Sequence, residues 1–229
     1  MTRIAFCYDV VSPWSLFAYH ILLRYRTAWN FELVHKPMFL GGVMKESGNK
    51  PPLTVKNKGN WMNKSDLPLF AEMSDVPYKF PESFPINTIQ CMRFLRAIEK
   101  VHPDRLEKAT SLFWELVWVR SDGHKAEEAI VPEFFGKKFV DSQIFSEKEV
   151  QSLMEIAQST EIKDALKTEA SELVHKGYAF GFPWIIVEKD SGSKRSFFGA
   201  DRFEQIAFYL GQKWDGPKGP GKASGKSKL

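Results

Sequence analysis

Residues 9–15, DVVSPWS, join an apolar stretch to an amphipathic one. The preceding residues, IAFCY at 4–8, predict a buried strand, and SLFAYHILLRY at 15–25 predicts a helix. Ser12 suits the N-cap of that helix, and Pro13 suits its first position, because proline lacks the N–H that this position leaves unpaired. We therefore expect Ser12 to stand where the strand ends and the helix begins.

A second strand, FELVH at 31–35, follows the helix. Because a helix connects the two strands, we expect them to be parallel, in a right-handed βαβ unit. Helical patterns then extend from about Ile86 to Gly177. They include a capping box, in which Ser146 is followed three residues later by Glu149.

Strands return near the C-terminus, where PWIIVEK at 183–189 and KRSFF at 194–198 predict a hairpin. The segment 199–211 predicts a closing helix with Gly211 as its stop. The element order is thus β-α-β, helices, then β-β-α. This order predicts an α/β protein with a thioredoxin-like domain that is interrupted by an all-helical insertion domain.

The predicted domains follow from this order. Residues 1–45 and 180–214 form the thioredoxin-like domain, and residues 46–179 form a long loop plus the helical insertion. The loop covers about 41–68, which is rich in Gly, Lys, Asn and Pro. Residues 215–229 are rich in Gly, Pro, Ser and Lys, and we expect them to be disordered.

Composition argues against several classes of function. The net charge of +4 comes mostly from lysines of the tail, so the body is nearly neutral and no nucleic-acid surface is expected. No apolar run approaches the roughly 20 residues that span a bilayer. Cys7 and Cys91 are far apart and predict buried core thiols, and the few scattered Cys and His residues predict no metal site.

The junction has hydroxyl groups where a thioredoxin-like redox protein has Cys-x-x-Cys, since Ser12 and Ser15 occupy those two places. A serine hydroxyl is too weak an acid to replace a thiolate nucleophile. It is still a hydrogen-bond donor, and a helix N-terminus carries about half a positive charge. The site therefore suits a thiolate that arrives with a ligand, while helix capping alone remains the alternative interpretation.

A second feature is the segment FGFP at 180–183, which precedes the third strand. Thioredoxin-like folds hold a cis-proline here, facing the redox site. The sequence does not distinguish the isomers. We expect a cis bond before Pro183, which would turn the backbone of Phe182 towards a peptide-like ligand.

Four motifs, in this order and spacing, resemble those of the kappa-class glutathione transferases: DVVSPWS, SGNKPP (47–52), AFGFP (179–183) and FFGADR (197–202). The ending GQKWDGP, at 211–217, separates the transferases from related enzymes. The resemblance covers about residues 3–214. The chain is also similar to bacterial 2-hydroxychromene-2-carboxylate isomerases, which share the fold and the junction serine. SGNKPP and GQKWDGP favour the transferase.

The resemblance implies glutathione as cosubstrate, a small electrophile as second substrate, a homodimer and no metal cofactor. The enzyme would conjugate glutathione to the electrophile or reduce a peroxide. Ser12 would be the catalytic residue, which holds the glutathione sulfur as a thiolate. The implied substrate-binding residues are Pro13, Trp14, Asn49, Phe182, Pro183, Ala200 and Asp201.

The same resemblance assigns parts of glutathione to these residues. Asn49 would contact the glycyl end, Phe182 would pair its backbone with the cysteinyl part, and Ala200 and Asp201 would hold the γ-glutamyl end. One of the loop lysines could meet a glutathione carboxylate. The family commonly has Tyr, Leu and Ser where this chain has Trp14, Phe182 and Ala200, so the second substrate is not named.

Three other functions remain as alternatives. A glutathione-dependent isomerase would use the same thiolate, and a non-catalytic protein would bind glutathione without activating it. A disulfide oxidoreductase is disfavoured, because the junction has no cysteine.

The chain ends in Ser227-Lys228-Leu229, which matches the peroxisomal address S-K-L. We therefore expect a peroxisomal location and binding to the import receptor, with mitochondrial and cytoplasmic locations as alternatives.

Overall fold

The computed structural model describes residues 1–222. Its first elements are β1 (Thr2–Tyr8), α1 (Pro13–Tyr25) and β2 (Phe31–Pro37). β1 and β2 are parallel throughout, which confirms the predicted βαβ unit. Ser12 is the N-cap of α1, and a proline occupies its first turn, as predicted.

The hairpin consists of β3 (Trp184–Glu188) and β4 (Lys194–Phe198), and β3 is antiparallel to β1. The sheet has the order β2-β1-β3-β4. α10 (Phe203–Leu210) follows β4 and ends at Gly211, which adopts a left-handed conformation with φ of 69°. Because β1 and β3 run in opposite directions, the end of β1 lies beside the beginning of β3.

The segment predicted as a long loop is largely helical, so this prediction was wrong. It contains α2 (Leu40–Ser47), α3 (Lys56–Trp61), a π-helical turn over Met62–Asp66 and the beginning of α4 (Leu67–Ser74). Gly, Asn and Pro lower helix propensity, but propensity is a weak prior that tertiary packing overrides.

Between α4 and β3 the chain is helical, as predicted, and its α-helices are α5 (Ile89–Val101), α6 (Leu106–Trp114), α7 (Pro132–Asp141), α8 (Glu147–Ala157) and α9 (Thr160–His175). α8 begins with the predicted capping box, in which the Ser146 hydroxyl accepts from Glu149 N and the Glu149 carboxylate accepts from Ser146 N.

α2 packs against α9 and buries Val43. It crosses the predicted boundary between residues 45 and 46, and the division into domains stays a prediction.

One large core extends from the sheet into the helical insertion. The aromatic side chains of this core bury the largest apolar areas, about 150–250 Å² each. Its fully buried members come from both parts of the chain: Phe6, Tyr8, Phe17, Tyr19, Phe94, Phe113, Trp118, Phe135, Phe139 and Phe203. The sheet and the insertion are thus stabilised together.

Side-chain contacts from β2 add to this connection. His35 Nε2 lies 3.1 Å from Glu107 Oε2, and Lys36 Nζ lies 2.9 Å from Glu99 Oε1. The hydrogen bond with His35 and the neighbouring Arg26 lower the pKa of Glu107 to about 2. Glu107 is therefore ionised at neutral pH and holds the insertion to the sheet edge.

Part of the predicted disordered tail packs on the body. Trp214, which directly precedes this tail, stacks on Tyr25, with ring centroids 4.9 Å apart. The Tyr25 hydroxyl donates to Gly216 O at 2.9 Å and accepts from Asp215 N at 2.9 Å. Residues 215–222 were expected to be disordered, and the structure differs. Their composition cannot form a core of its own, but their contacts to α1 hold them on the body. Residues 223–229 lie outside the described part.

Within residues 1–222, no helix combines the length and apolar character that a membrane span requires.

The Tyr25 hydroxyl should stabilise the packed part of the tail. Tyr25→Phe removes two hydrogen bonds, and we expect the free energy of unfolding to fall by about 1–2 kcal/mol in urea titrations. Tyr209→Phe is the matched control, since the Tyr209 hydroxyl bonds Ser193 Oγ at an exposed site. That variant should change stability by less than about 0.5 kcal/mol. Equal stability of the two variants would contradict the prediction.

Candidate functional site

The junction between β1 and α1 places a hydroxyl at a helix N-terminus. Ser12 is 4% exposed, and its Oγ accepts from Ser15 N at 3.2 Å. Pro13 has no N–H to offer, the N–H groups of Ser15 and Leu16 bond to Ser12, and the Trp14 N–H precedes the first carbonyl partner in the helix. The positive end of the helix dipole is therefore directed towards the space in front of Ser12.

The segment before β3 lies against this junction. The Phe182–Pro183 peptide bond is cis, as expected. The Ser12 hydroxyl donates to Phe182 O at 3.2 Å. Pro183 O accepts from Gly199 N at 3.1 Å, which holds the beginning of β3 to the end of β4. Residues that are far apart in sequence thus meet at one edge of the sheet.

A cleft of about 810 Å³ opens in front of the junction. Its walls come from α1, from the segments around α2 and α3, from the segment before α5, and from the ends flanking the β3–β4 hairpin. Seven of the eight predicted site residues line it: Ser12, Pro13, Trp14, Asn49, Phe182, Ala200 and Asp201. Pro183 is buried behind Phe182 and does not line it.

Asn49 connects two walls of the cleft. Its Nδ2 donates to Phe180 O at 2.6 Å, and its Oδ1 accepts from Lys50 N at 2.8 Å. The segment after α2 is thereby held to the approach to β3. This contact gives Asn49 a structural role in addition to the ligand contact that the sequence predicts.

Two acidic side chains lie near each other on the cleft lining. Asp201 is 57% exposed and pairs with Arg202, with 2.7 Å between Oδ2 and Nη1. Asp66 also lines the cleft, and burial together with the Asp201 charge raises the pKa of Asp66. Ala200 is buried beside them. Two carboxylates near each other favour a cationic group of a ligand.

The comparisons with known proteins agree with this geometry. A family profile described as a DSBA-like thioredoxin domain matches residues 3–211. Human glutathione S-transferase kappa 1 is 35% identical over 218 residues, which cover 93% of this chain and 92% of that protein. The chain belongs to the glutathione S-transferase kappa family. A kappa 1 protein from Caenorhabditis elegans is 31% identical over 226 residues, with the same coverage of both chains.

Solved structures show the fold of this kappa-family chain. A 2-hydroxychromene-2-carboxylate isomerase superposes with a TM-score of 0.72 at 16% identity, covering 91% of this chain and 94% of that one. A cytosolic disulfide reductase, DsbM from Pseudomonas aeruginosa, superposes with a TM-score of 0.56 at 12% identity, covering 90% and 96%. These likenesses confirm a thioredoxin-like fold that contains a helical insertion.

Sequence reasoning missed much of the apolar wall of this kappa-family cleft. The Trp14 ring meets Phe70 with centroids 5.3 Å apart and an interplanar angle of 77°. Other lining residues that the sequence did not assign are Phe39, Met44, Leu53, Trp61, Met62, Phe84 and Ile86. Most of them belong to the region predicted as a loop, where only the SGNKPP motif marked a site.

The loop lysines separate into two groups. Lys50 and Lys58 line the cleft, whereas Lys56 and Lys64 do not. Both lining lysines are exposed, so their ammonium groups keep their hydration.

Neither cysteine takes part in the site. Cys7 and Cys91 are free and buried, as predicted, and neither lines the cleft. Burial raises the pKa of Cys7 to about 12 and the pKa of Cys91 well above its usual value. Both thiols are therefore protonated at neutral pH, and a thiolate in this cleft would have to come from a ligand.

Proposed function

We propose that this protein is a glutathione transferase, which holds the glutathione thiolate at Ser12 and conjugates it to a small electrophile. One observation carries the proposal: the Ser12 hydroxyl stands at the N-terminus of α1, on the wall of a cleft that no cysteine of the chain lines. The family relationship supports it, because the relatives are named as glutathione transferases.

The hydrogen bonds of Ser12 suggest how the thiolate is stabilised. Its oxygen accepts from Ser15 N, so its proton is free to be donated, and the hydroxyl donates it to Phe182 O. When the sulfur arrives, the hydroxyl turns to donate to it. Phe182 O is then released and can accept the peptide N–H of the cysteinyl part. The hydrogen bond between Ser12 and Phe182 is thus replaced by two bonds to glutathione.

The charged side chains of the cleft lining suit the two charged ends of glutathione. Asp201 and Asp66 favour the γ-glutamyl ammonium, and a charge-assisted hydrogen bond of this kind contributes about 1.5–3 kcal/mol. Lys50 and Lys58 can neutralise the glycyl carboxylate. The thiol is then directed to the middle of the cleft, at Ser12.

The apolar wall suits the electrophile. Trp14 and Phe70 form a T-shaped aromatic pair, and Met62 is buried beside them in the cleft lining. Such a wall excludes water, which strengthens the attraction between the thiolate and its hydrogen-bond donors. The attacking sulfur forms a bond to carbon, and the leaving group departs with its electron pair.

Ser12→Ala should raise the pKa of the bound glutathione thiol by about one to two units, because a charge-assisted hydrogen bond is lost. Ultraviolet absorbance of the thiolate, followed against pH, measures this shift. Conjugation of a chlorinated nitroarene at neutral pH should slow by the same factor as the thiolate fraction of bound glutathione falls. Asp201→Asn is the matched control: it should weaken glutathione binding in calorimetry and leave the thiol pKa unchanged.

An equal thiol pKa in the Ser12→Ala variant and the unmutated protein would exclude the catalytic role of Ser12. Ser12→Ala also loses the N-cap, which costs about 1 kcal/mol of stability, so urea titration must show that the variant is folded. Isomerisation of a hydroxychromene carboxylate without conjugation would favour the isomerase alternative. Binding with an unshifted thiol pKa would favour the non-catalytic one.

We also propose a homodimer. The resemblance to the kappa-class transferases implies it, and the exposed apolar side chains of Trp61, Leu69 and Met73 on α3 and α4 are candidates for the contact. Sedimentation equilibrium should give the mass of two chains, and Leu69→Asp should shift the equilibrium towards the monomer. A monomer at micromolar concentration would contradict the proposal.

We further propose that the protein is peroxisomal and that it has a role in detoxification there. Ser227-Lys228-Leu229 supports the location, and these residues lie outside the described part of the structure. Deleting them should move a fusion with an N-terminal fluorescent protein from peroxisomes to the cytosol. Conjugation activity should not change, because the cleft lies within residues 11–201. Diffuse fluorescence of the undeleted fusion would contradict the assignment.

A further inference from the structure

Asp9 directly follows β1 and is fully buried. Its Oδ1 accepts from Val11 N at 3.0 Å and from the Thr88 hydroxyl at 2.7 Å. Its Oδ2 accepts from Leu40 N at 2.7 Å. No Lys, Arg or His within residues 1–222 forms an ion pair with it. This is a buried carboxylate that only neutral donors compensate.

The three donors belong to three walls of the cleft. Val11 precedes Ser12 at the junction, Leu40 begins α2, and Thr88 precedes α5. All three line the cleft, while Asp9 lies behind it. The backbone of Asp9 adds a fourth contact, because its carbonyl accepts from Ser12 N at 3.0 Å. A single residue thus connects the catalytic junction to both flanking segments.

We propose that Asp9, in its ionised form, is a positioning residue that holds these three walls in the arrangement that binds glutathione. The proposal rests on the function proposed above. A carboxylate can accept all three hydrogen bonds. A protonated carboxyl places a hydrogen on one oxygen, and that oxygen then faces an N–H or a hydroxyl. At least one of the three contacts is weakened or lost on protonation.

The surroundings of Asp9 bring its protonation into the weakly acidic range. Burial raises the pKa of Asp9 to about 6, against the lowering effect of its three hydrogen bonds. The titratable neighbour on α5 is the Cys91 thiol, whose own pKa is raised by burial and by the Asp9 charge. The contacts from the β1–α1 junction and from α2 are the backbone N–H groups of Val11 and Leu40, which do not titrate.

Stability and glutathione affinity should depend on pH in opposite directions, and this difference separates the positioning role from a purely structural one. Because the pKa of Asp9 is raised in the folded protein, its protonation stabilises the fold, and its contribution to stability falls as the pH rises towards about 6. Affinity for glutathione should change in the opposite direction and rise over the same range. General acid unfolding would make stability and affinity fall together on acidification.

The test uses S-methylglutathione, which has no thiol and no group that titrates between pH 5 and pH 7. With a midpoint of about 6, about one tenth of the molecules are ionised at pH 5, so calorimetry should show up to about tenfold weaker binding than at pH 7. The midpoint of urea unfolding should not fall when the pH is lowered from 7 to 5. The Leu40 amide resonance of the free protein should titrate with the same midpoint.

Variants assign the titration to Asp9. Thr88→Val removes one donor to the carboxylate and should move the affinity midpoint upward by about one pH unit. Asp9→Asn should bind weakly at every pH, with no midpoint. Asp66→Asn removes a carboxylate that lines the cleft and whose pKa is also raised. It is expected to change affinity at all pH values and to leave the midpoint unchanged.

Affinity that is independent of pH, while the Leu40 amide still titrates, would overturn the positioning role and leave the proposed function intact. A Leu40 amide that does not titrate, or a midpoint that moves with Asp66→Asn, would also overturn it. No binding of glutathione or S-methylglutathione at any pH would overturn the proposed function, and this role with it.

Discussion

The hydrogen bond from Ser12 to the carbonyl of Phe182 joins residues that are 170 positions apart. It exists because β1 and β3 are antiparallel neighbours, so that the end of one strand lies beside the beginning of the other. Every other feature of the cleft is arranged around this contact. The helix dipole of α1 points into the cleft, and the backbone of Phe182 offers it hydrogen-bonding groups.

The helical insertion is part of the site as well as an addition to the fold. α2, α3 and α4 supply a wall of the cleft, and the core of the insertion is continuous with the core under the sheet. An aromatic wall formed by Trp14 and Phe70 therefore has a rigid support. Apolar walls lower the local dielectric constant, which strengthens the interactions of charged groups in the cleft.

Polar groups buried behind the site explain how loops keep a defined geometry. Asp9 compensates N–H and hydroxyl groups that would otherwise be buried without partners, and Trp118 Nε1 donates to Val10 O at 2.8 Å. Networks of this kind are strong when every member is satisfied. The backbone between β1 and α1 is thereby held from both sides, and Ser12 has little freedom to move.

The sequence by itself determined the elements with strong local signals: the strand–Ser12–helix junction, the hairpin, the capping box and the element order that predicts the fold. It also identified the residues of four motifs that line the cleft, because these motifs resemble those of the kappa-class transferases. Only the tertiary structure decided that residues 41–68 are helical and that Phe70 and Asp66 belong to the site. Their positions depend on packing between distant segments, which neither local helix propensity nor hydrophobic periodicity predicts.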